Sequence, residues 1–292
     1  MWIILAICSA LCLGIYDIFK KISVKDNDVL TVLLLNTLFG SLLLSPVIID
    51  NIADGSWGFG GNTHSHLLIL IKSLIVLSSW LLGYFSIKHL PITINGPISA
   101  TRPILVLLGA VVIFGEKLNW LQYTGIFIGF CSLFFISRIG KKEGFSLKHS
   151  KWLWLCFGAT LMGAVSALYD KHLIRNLEPL EVQAWYSLYQ FFIMTVVIMT
   201  IRRFSGERST SFKWKWAIPG IAVFLTIADI AYFYSLSLDG ALIAVVSMIR
   251  RGSVLVSFLY GVTALHEKNV KLKLADLSLL LIGLICLILG SR

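Results

Sequence analysis

Ten apolar runs, each about 20 residues long, divide this chain from one end to the other. An α-helix rises about 1.5 Å per residue, so each run as a helix covers the roughly 30 Å of a bilayer's hydrocarbon core. A helix also satisfies its own backbone hydrogen bonds in lipid. The sequence therefore predicts an all-α membrane protein whose ten spans lie at 2–19, 29–49, 67–87, 92–114, 119–137, 152–169, 182–201, 216–237, 241–263 and 274–290.

The composition fits a chain that lies mostly in lipid. Hydrophobic residues make up 57% of the chain and charged residues 14%, and the mean hydropathy is +0.85. A soluble domain is about 25% charged. The net charge of +10 comes mainly from lysines and arginines between the apolar runs, as is typical of membrane loops. We therefore expect the lipid bilayer as the surroundings and no nucleic-acid partner.

The cysteines and histidines do not form a pattern typical of metal ligands. All five cysteines lie in apolar runs without a Cys-x-x-Cys pair, so we expect them to pack as small membrane residues. His64 and His66 lie two residues apart in a glycine-bearing loop, without the spacing of a metal site. We predict no metal site and no cofactor.

The two halves of the chain repeat each other. A shift of 150 residues places 13–30 on 163–180. A shift of 151 places Gly-Glu-Lys at 115–117 on His-Glu-Lys at 266–268, each at the end of the fourth span of its half. Five spans per half is an odd number, so the second copy enters the membrane from the other side. The sequence therefore predicts an inverted repeat, an architecture with its substrate site near the bilayer midplane.

The repeat predicts the domain bounds, and the charges of the loops predict the orientation of the chain in the membrane. We expect one five-helix repeat at 1–140, a basic linker loop at 141–151 and a second five-helix repeat at 152–292. Of the 25 lysines and arginines, seventeen lie in loops after odd-numbered spans and four after even-numbered spans. Because basic loops stay in the cytoplasm, we predict a cell membrane location, plasma or inner, with both chain ends outside.

Two arginines lie at the middle of span nine. Arg250 and Arg251 are its tenth and eleventh residues out of 23, where each costs about 2.5 to 3.5 kcal/mol in lipid on insertion scales. Arg102 is the eleventh of 23 residues in span four, which Pro97 and Pro103 should kink. These arginines must face protein, water or an anion, which predicts a polar cavity between the halves.

Neighbouring residues on a helix point about 100° apart, so Arg250 and Arg251 cannot both face one ligand squarely. We predict that Arg251 meets the ligand and Arg250 meets a carboxylate or a carbonyl. Polar and aromatic side chains of other spans complete the predicted lining. The predicted substrate-binding residues are Arg102, Arg250, Arg251, Asn95, Ser99, Tyr84, Asn36, Gln190 and Tyr232.

Aspartates inside the spans are candidates for a second role. Asp229 is the fourteenth of 22 residues in span eight, without a cation within one turn in the sequence. It either neutralises an arginine or carries a coupling proton, and Asp17 is a second candidate for these two roles.

Other charged residues near span ends are expected to be structural. Asp17 precedes Lys20 by one turn, and Asp170 is next to Lys171, so each pair fits an ordinary ion pair at a membrane edge. Lys72 lies about one turn into span three and is expected to extend its amine to the interface.

The five-plus-five arrangement resembles the EamA branch of the drug/metabolite transporter superfamily. The features that carry this resemblance are Gly-Glu-Lys at 115–117 and the short, glycine-bearing fifth span TGIFIGFCSLFFI at 124–136. The resemblance implies a carrier that works by alternating access, commonly an exporter of metabolites. It also implies chain ends inside, opposite to the orientation that the loop charges predict.

Span nine resembles a second group in the same superfamily, the sugar-phosphate and triose-phosphate translocators. In SMIRRGSVLVSF, at 247–258, Arg250 and Arg251 fall on the Lys-Arg pair that binds the substrate phosphate in that group. The chain departs from it by having arginine at 250 and by lacking the lysine of span four. The resemblance therefore implies an anion site, with phosphate only as one possible ligand.

Together these features predict a multi-pass secondary transporter for a small anionic or zwitterionic metabolite, with export implied by the resemblance. An alternative is a lipid-headgroup flippase, since the same arginines can bind a lipid phosphate. An intramembrane enzyme is the other alternative, but the spans contain neither His-Glu-x-x-His nor Gly-x-Ser-x-Gly. We therefore predict that the protein is not an enzyme. The sequence does not imply an oligomer.

Overall fold

In the computed structural model, the described part of the chain is helical and contains no strand. It comprises residues 2–55, 57–114, 119–142, 150–173, 177–205, 211–238, 246, 249–266 and 269–290. The helices are α1 (Trp2–Val24), α2 (Val29–Leu43), α3 (Ser45–Ala53), α4 (Thr63–His89), α5 (Ile92–Ala100), α6 (Arg102–Phe114), α7 (Trp120–Lys142), α8 (Lys151–Leu173), α9 (Pro179–Ser205), α10 (Ala217–Ser237), α11 (Ser253–Thr263) and α12 (Val270–Gly290), with a 3₁₀ turn at Phe59–Gly61.

The predicted all-helical fold class is confirmed: each of the ten predicted spans is helical in its described residues, with breaks inside three of them. In the described residues, α1, α4, α8, α9 and α10 are each long and apolar enough to cross a membrane, and the α2–α3 pair, bent by 49°, is a sixth if its two helices are counted as one span. Span four consists of α5 and α6, and span nine contains a helical segment at 249–251 followed by α11. Residues 241–245 and 247–248 of span nine lie outside the described residues.

The break in span four follows from its prolines. Pro97 lies inside α5, which ends at Ala100, and Thr101 separates it from α6. Pro103 is the second residue of α6, where its missing N–H would have no partner within the helix. The break therefore places Arg102 at the start of a new helix near the middle of the span.

The packing of the helices has the pairing expected of an inverted repeat. In the first half α1 packs against α10 and α11, and in the second half its counterpart α8 packs against α4 and α6. The central pairs α2–α9 and α7–α12 each join equivalent helices of the two halves. Exchanging the halves converts the contacts of α1 into those of α8 and leaves the two central pairs unchanged. The prediction of two inverted five-helix repeats is therefore confirmed.

Some sequence predictions fall on residues that the structure does not describe. The Gly-Glu-Lys residues 115–117, their counterparts 267–268 and most of the predicted linker, 143–149, are outside the described residues. The domain bounds 1–140 and 152–292 therefore stay predictions.

The outer surfaces of the helices are apolar, as lipid-facing surfaces must be. Phe127 is 69% exposed, Met199 66% and Leu259 63%. Soluble monomers rarely expose contiguous apolar patches larger than a few hundred Å². Charged side chains are found instead on the inner faces of α1, α4, α6, α8 and α10, where a cavity separates the two halves.

Candidate substrate-binding site

A cavity of about 340 Å³ lies between the two halves. Its walls come from α1, α4, α5 and α6 of the first half and from α8, α9, α10 and residues 250–253 of the second. The charged side chains in its described lining are Lys20, Lys72, Arg102, Arg250, Arg251, Asp17, Asp170 and Asp229. The volume is within the usual range for a small-molecule site.

Arg250 is held by groups of the protein. Its Nη2 donates a hydrogen bond to Asp229 Oδ1, in an ion pair whose side chains are 13% and 14% exposed. Its Nε donates to Ser9 Oγ at 3.2 Å, and the guanidinium carbon lies 4.3 Å from the centre of the Tyr232 ring. Tyr186 donates its hydroxyl proton to Asp229 Oδ2 at 3.3 Å. This geometry fits the counter-ion alternative for Asp229.

Arg102 and Arg251 differ from Arg250 in having unused donors. Both line the cavity, and the Nε of each is buried without a hydrogen-bond partner in the described structure. An unpaired buried donor costs about 1 to 3 kcal/mol, and more when the group is charged. The two arginines belong to opposite halves, so an anion between them would contact both sides of the inverted repeat.

Gly163 of α8 makes room for Arg102. A Cβ atom built at this glycine would overlap the Arg102 guanidinium group. In the other half, a Cβ atom built at Gly14 of α1 would overlap the Val256 side chain and lie 2.9 Å from the Ser253 carbonyl oxygen. A missing side chain therefore determines where the Arg102 guanidinium can lie.

We expect Gly163→Ala to reduce anion exchange roughly tenfold, because the methyl group would move a guanidinium that otherwise faces the cavity. The melting temperature in detergent should change little, since the end of an arginine side chain can shift. Gly40→Ala is the matched control, because no heavy atom lies within 4 Å of a Cβ built there. Equal exchange rates for both variants would show that the position of Arg102 is unimportant.

The other predicted binding residues have different positions relative to the cavity. Asn95 and Ser99 of α5 line it, and Asn95 Oδ1 accepts hydrogen bonds from Ser86 Oγ at 2.7 Å and from Cys156 Sγ at 3.2 Å. Tyr232 also lines it, beneath Arg250.

Three predicted residues do not line the main cavity as the structure describes it. Tyr84 is fully buried, and the centre of its ring lies 4.6 Å from Lys20 Nζ. Asn36 and Gln190 line a narrow side pocket of about 10 Å³ behind Trp80 and Asp229. A space of that size holds at most one water molecule. A direct contact of Asn36 or Gln190 with a ligand would require another conformation.

Lys72 is a cavity residue that the sequence analysis placed wrongly. Its side chain is 3% exposed and its Nζ lies 2.7 Å from Asp170 Oδ1, while its amine lies 4.9 Å from the centre of the Tyr186 ring. Lys72 therefore does not extend to the interface, and Asp170 pairs with Lys72 of α4, contrary to the expected pairing with Lys171. The two residues are far apart in the sequence, so no local pattern indicates their contact.

Lys20 was also expected to form an ion pair, with Asp17. In the described structure its Nζ makes no ion pair and lies 5.2 Å and 4.6 Å from the centres of the Tyr16 and Tyr84 rings. It is 8% exposed and lines the cavity. The spacing of Tyr16 and Lys20, four residues along one helix, was the available signal for this contact.

The fold and the cavity define a multi-pass membrane protein with a polar site between two inverted halves. Comparisons with known proteins agree with the family resemblance of the sequence: residues 1–138 match the EamA-like transporter family. An uncharacterized transporter of Archaeoglobus fulgidus is 26% identical over 141 residues, which cover 48% of this chain and 49% of the relative. The match thus spans about half the length of that transporter.

A solved structure extends the likeness to the whole chain. A protein of known crystal structure superposes with a TM-score of 0.68 at 13% identity, over 100% of this chain and 98% of the other. At this identity the comparison shows the fold alone.

Proposed function

We propose that this protein is a secondary transporter that moves a small anionic metabolite across the membrane by alternating access. A zwitterion with an anionic group is a second possible substrate. The observation that supports the proposal most directly is the pair of partly buried arginines, Arg102 and Arg251, which bring unpaired donors to one cavity from opposite halves. Rocking of two inverted halves around such a site exposes it to each side of the membrane in turn.

On one face of the membrane, hydrogen bonds join two helices of the first half. We call the side of the loop at 25–28 the first-loop face. There Lys21 Nζ donates hydrogen bonds to the carbonyls of Ile87 and Leu90, each at 2.6 Å. Lys88 Nζ donates to the carbonyl of Asn27 at 2.8 Å. These bonds join the ends of α1 and α4, two helices of the first half.

The proposal is tested by solute exchange in proteoliposomes. We expect liposomes that contain the purified protein and an unlabelled anion to accumulate the same radiolabelled anion, whereas protein-free liposomes do not. Suitable probes are inorganic phosphate, succinate and acetate, with alanine as a zwitterion and erythritol as a neutral solute. Scrambling of a fluorescent phospholipid without exchange of any water-soluble solute would identify a flippase and overturn the proposal.

The orientation stays a prediction, and the protein's localisation to the cell membrane is part of the same proposal. We expect a single cysteine at Lys148→Cys, in a chain whose five native cysteines are replaced by alanine, to resist a membrane-impermeant maleimide in intact cells. The reason is that the basic loops should stay in the cytoplasm. Lysis should then permit labelling.

Asp54→Cys is the matched control for this experiment. Asp54 is exposed in a loop after an even-numbered span, so the same reagent should label it before lysis. The opposite labelling pattern at the two positions would place the chain ends inside, as in the orientation that the family resemblance implies.

A further inference from the structure

The charges in the cavity are unequal in number. Its described lining contains five cationic side chains and three aspartates. Two of the aspartates already have close partners, since Asp170 pairs with Lys72 and Asp229 with Arg250. These two ion pairs are neutral overall. The unneutralised charges are therefore those of the other four residues, which are Lys20, Arg102, Arg251 and Asp17.

Three cations against one aspartate leave a formal excess of two positive charges. Asp17 is near these cations, because it lies one turn before Lys20 on α1 and lines a second, smaller cavity of about 30 Å³ together with Arg251. Its single charge can balance only one of the three. Two charges facing a low-dielectric interior without counter-ions are costly, so the cavity favours a ligand that supplies the missing negative charge.

Lys20 is positioned to bind part of that ligand. The rings of Tyr16 and Tyr84 contact its amine but are uncharged, so they stabilise the cation without neutralising it. No carboxylate of the described residues forms an ion pair with it. Lys20 lies near the end of α1, toward the first-loop face, whereas Lys72 is the tenth of 27 residues in α4, nearer the opposite face. The unneutralised charge of Lys20 therefore lies closer to the first-loop face than the neutral Lys72–Asp170 pair does.

We propose that the substrate is a dianion and that Lys20 binds one of its charged groups. This inference rests on the proposed function and specifies the substrate class of the same site. Arg102 and Arg251 present planar guanidinium groups, which suit a carboxylate or phosphate oxygen pair, while the lysine amine is a compact charge that suits a single oxygen. A phosphate monoester and a dicarboxylate share this chemistry. A monoanion leaves one positive charge unbalanced, and a zwitterion leaves two.

The first test measures ligand binding to the purified wild-type protein. We expect methyl phosphate and succinate to raise its melting temperature in detergent at pH 8, and acetate, alanine and erythritol to raise it much less at equal ionic strength. Whichever of methyl phosphate and succinate raises the melting temperature more indicates whether the preferred dianion is a phosphate monoester or a dicarboxylate. Acetate or alanine binding as tightly as both dianions would overturn the inference but leave the proposed function intact.

The second test changes Lys20. Lys20→Gln should weaken binding of the preferred dianion roughly 10- to 100-fold, as expected for the loss of a charge-assisted hydrogen bond, and should affect acetate little. Lys20→Arg should retain part of the affinity. Lys25→Gln removes the same charge from the exposed loop after α1 and is the matched control. Unchanged dianion affinity in a folded Lys20→Gln variant would exclude Lys20 from the site.

A third measurement keeps the inference testable if Lys20→Gln does not fold. The second pKa of a phosphate monoester is about 6, so the wild-type affinity for methyl phosphate should rise as the pH increases from 5 to about 8, while sulfate, which is a dianion over this whole range, serves as the pH-matched comparison. A higher affinity for methyl phosphate at pH 5 would show that the monoanion is the bound form. If no solute exchanges in proteoliposomes even though dianions bind, the proposed transport function fails and the dianion site stands.

Discussion

Arg251→Lys is expected to weaken anion binding roughly 10- to 100-fold while the protein still folds. Lysine keeps the charge but loses the planar fork that holds two oxygens at once. Arg251 has an unpaired buried Nε in the cavity wall, so its donors are available for a ligand. The measurement is the half-saturating concentration of the probe anion that the wild-type protein exchanges fastest.

Arg102→Lys should have a similar effect because Arg102 also has an unpaired buried Nε. Arg250→Lys is the internal comparison. Its guanidinium already contacts Asp229 and Ser9, so binding should change less and stability more. If Arg102→Lys and Arg251→Lys both bound the probe with wild-type affinity, the arginines would be packing groups and the anion site would be wrong.

Asp229→Asn is expected to reduce the free energy of unfolding by up to about 3 kcal/mol, since it leaves a partly buried arginine without its counter-ion. The double variant Asp229→Asn, Arg250→Gln removes both charges and should recover much of that loss. Melting temperatures of the three proteins in one detergent measure the effect. A stable single variant would show that the ion pair contributes little.

Transport by the Asp229→Asn variant separates the two roles that the sequence leaves open. If Asp229 carries a coupling proton, the variant should lose uphill transport driven by a pH gradient but keep solute exchange. If it is only a counter-ion, both activities should fall together with the amount of folded protein. Normal values for both would remove Asp229 from the functional site.

The spans were predictable because lipid imposes a simple pattern on them. A run of about 20 apolar residues has few alternatives to a helix in a membrane, and the odd number of spans per half determines the inversion. The helix break near Thr101 was also indicated, since Pro97 and Pro103 flank it. These properties depend on the local sequence alone.

The pairing of charges inside the cavity was less predictable. The position of Lys72 near one end of span three predicts that its amine reaches the interface. The sequence does not indicate its actual partner, Asp170, because that residue belongs to a helix of the other half. Asn36 and Gln190 are polar and lie within spans, which favours a place in the cavity wall, yet they line a side pocket. The partner of each inward-facing residue depends on how the helices of opposite halves pack. A single sequence does not contain this information.

The α7–α12 pair lies apart from the main cavity and is suited to the attachment of a probe. These helices pack against each other across the halves, and none of their described residues lines the main cavity. Their exposed side chains include Phe127, which is 69% exposed, and Ile282, which is 52% exposed. A fluorophore, a crosslinker or a fused reporter placed on this pair would therefore follow the transporter in a membrane without occupying the space that the ligand needs.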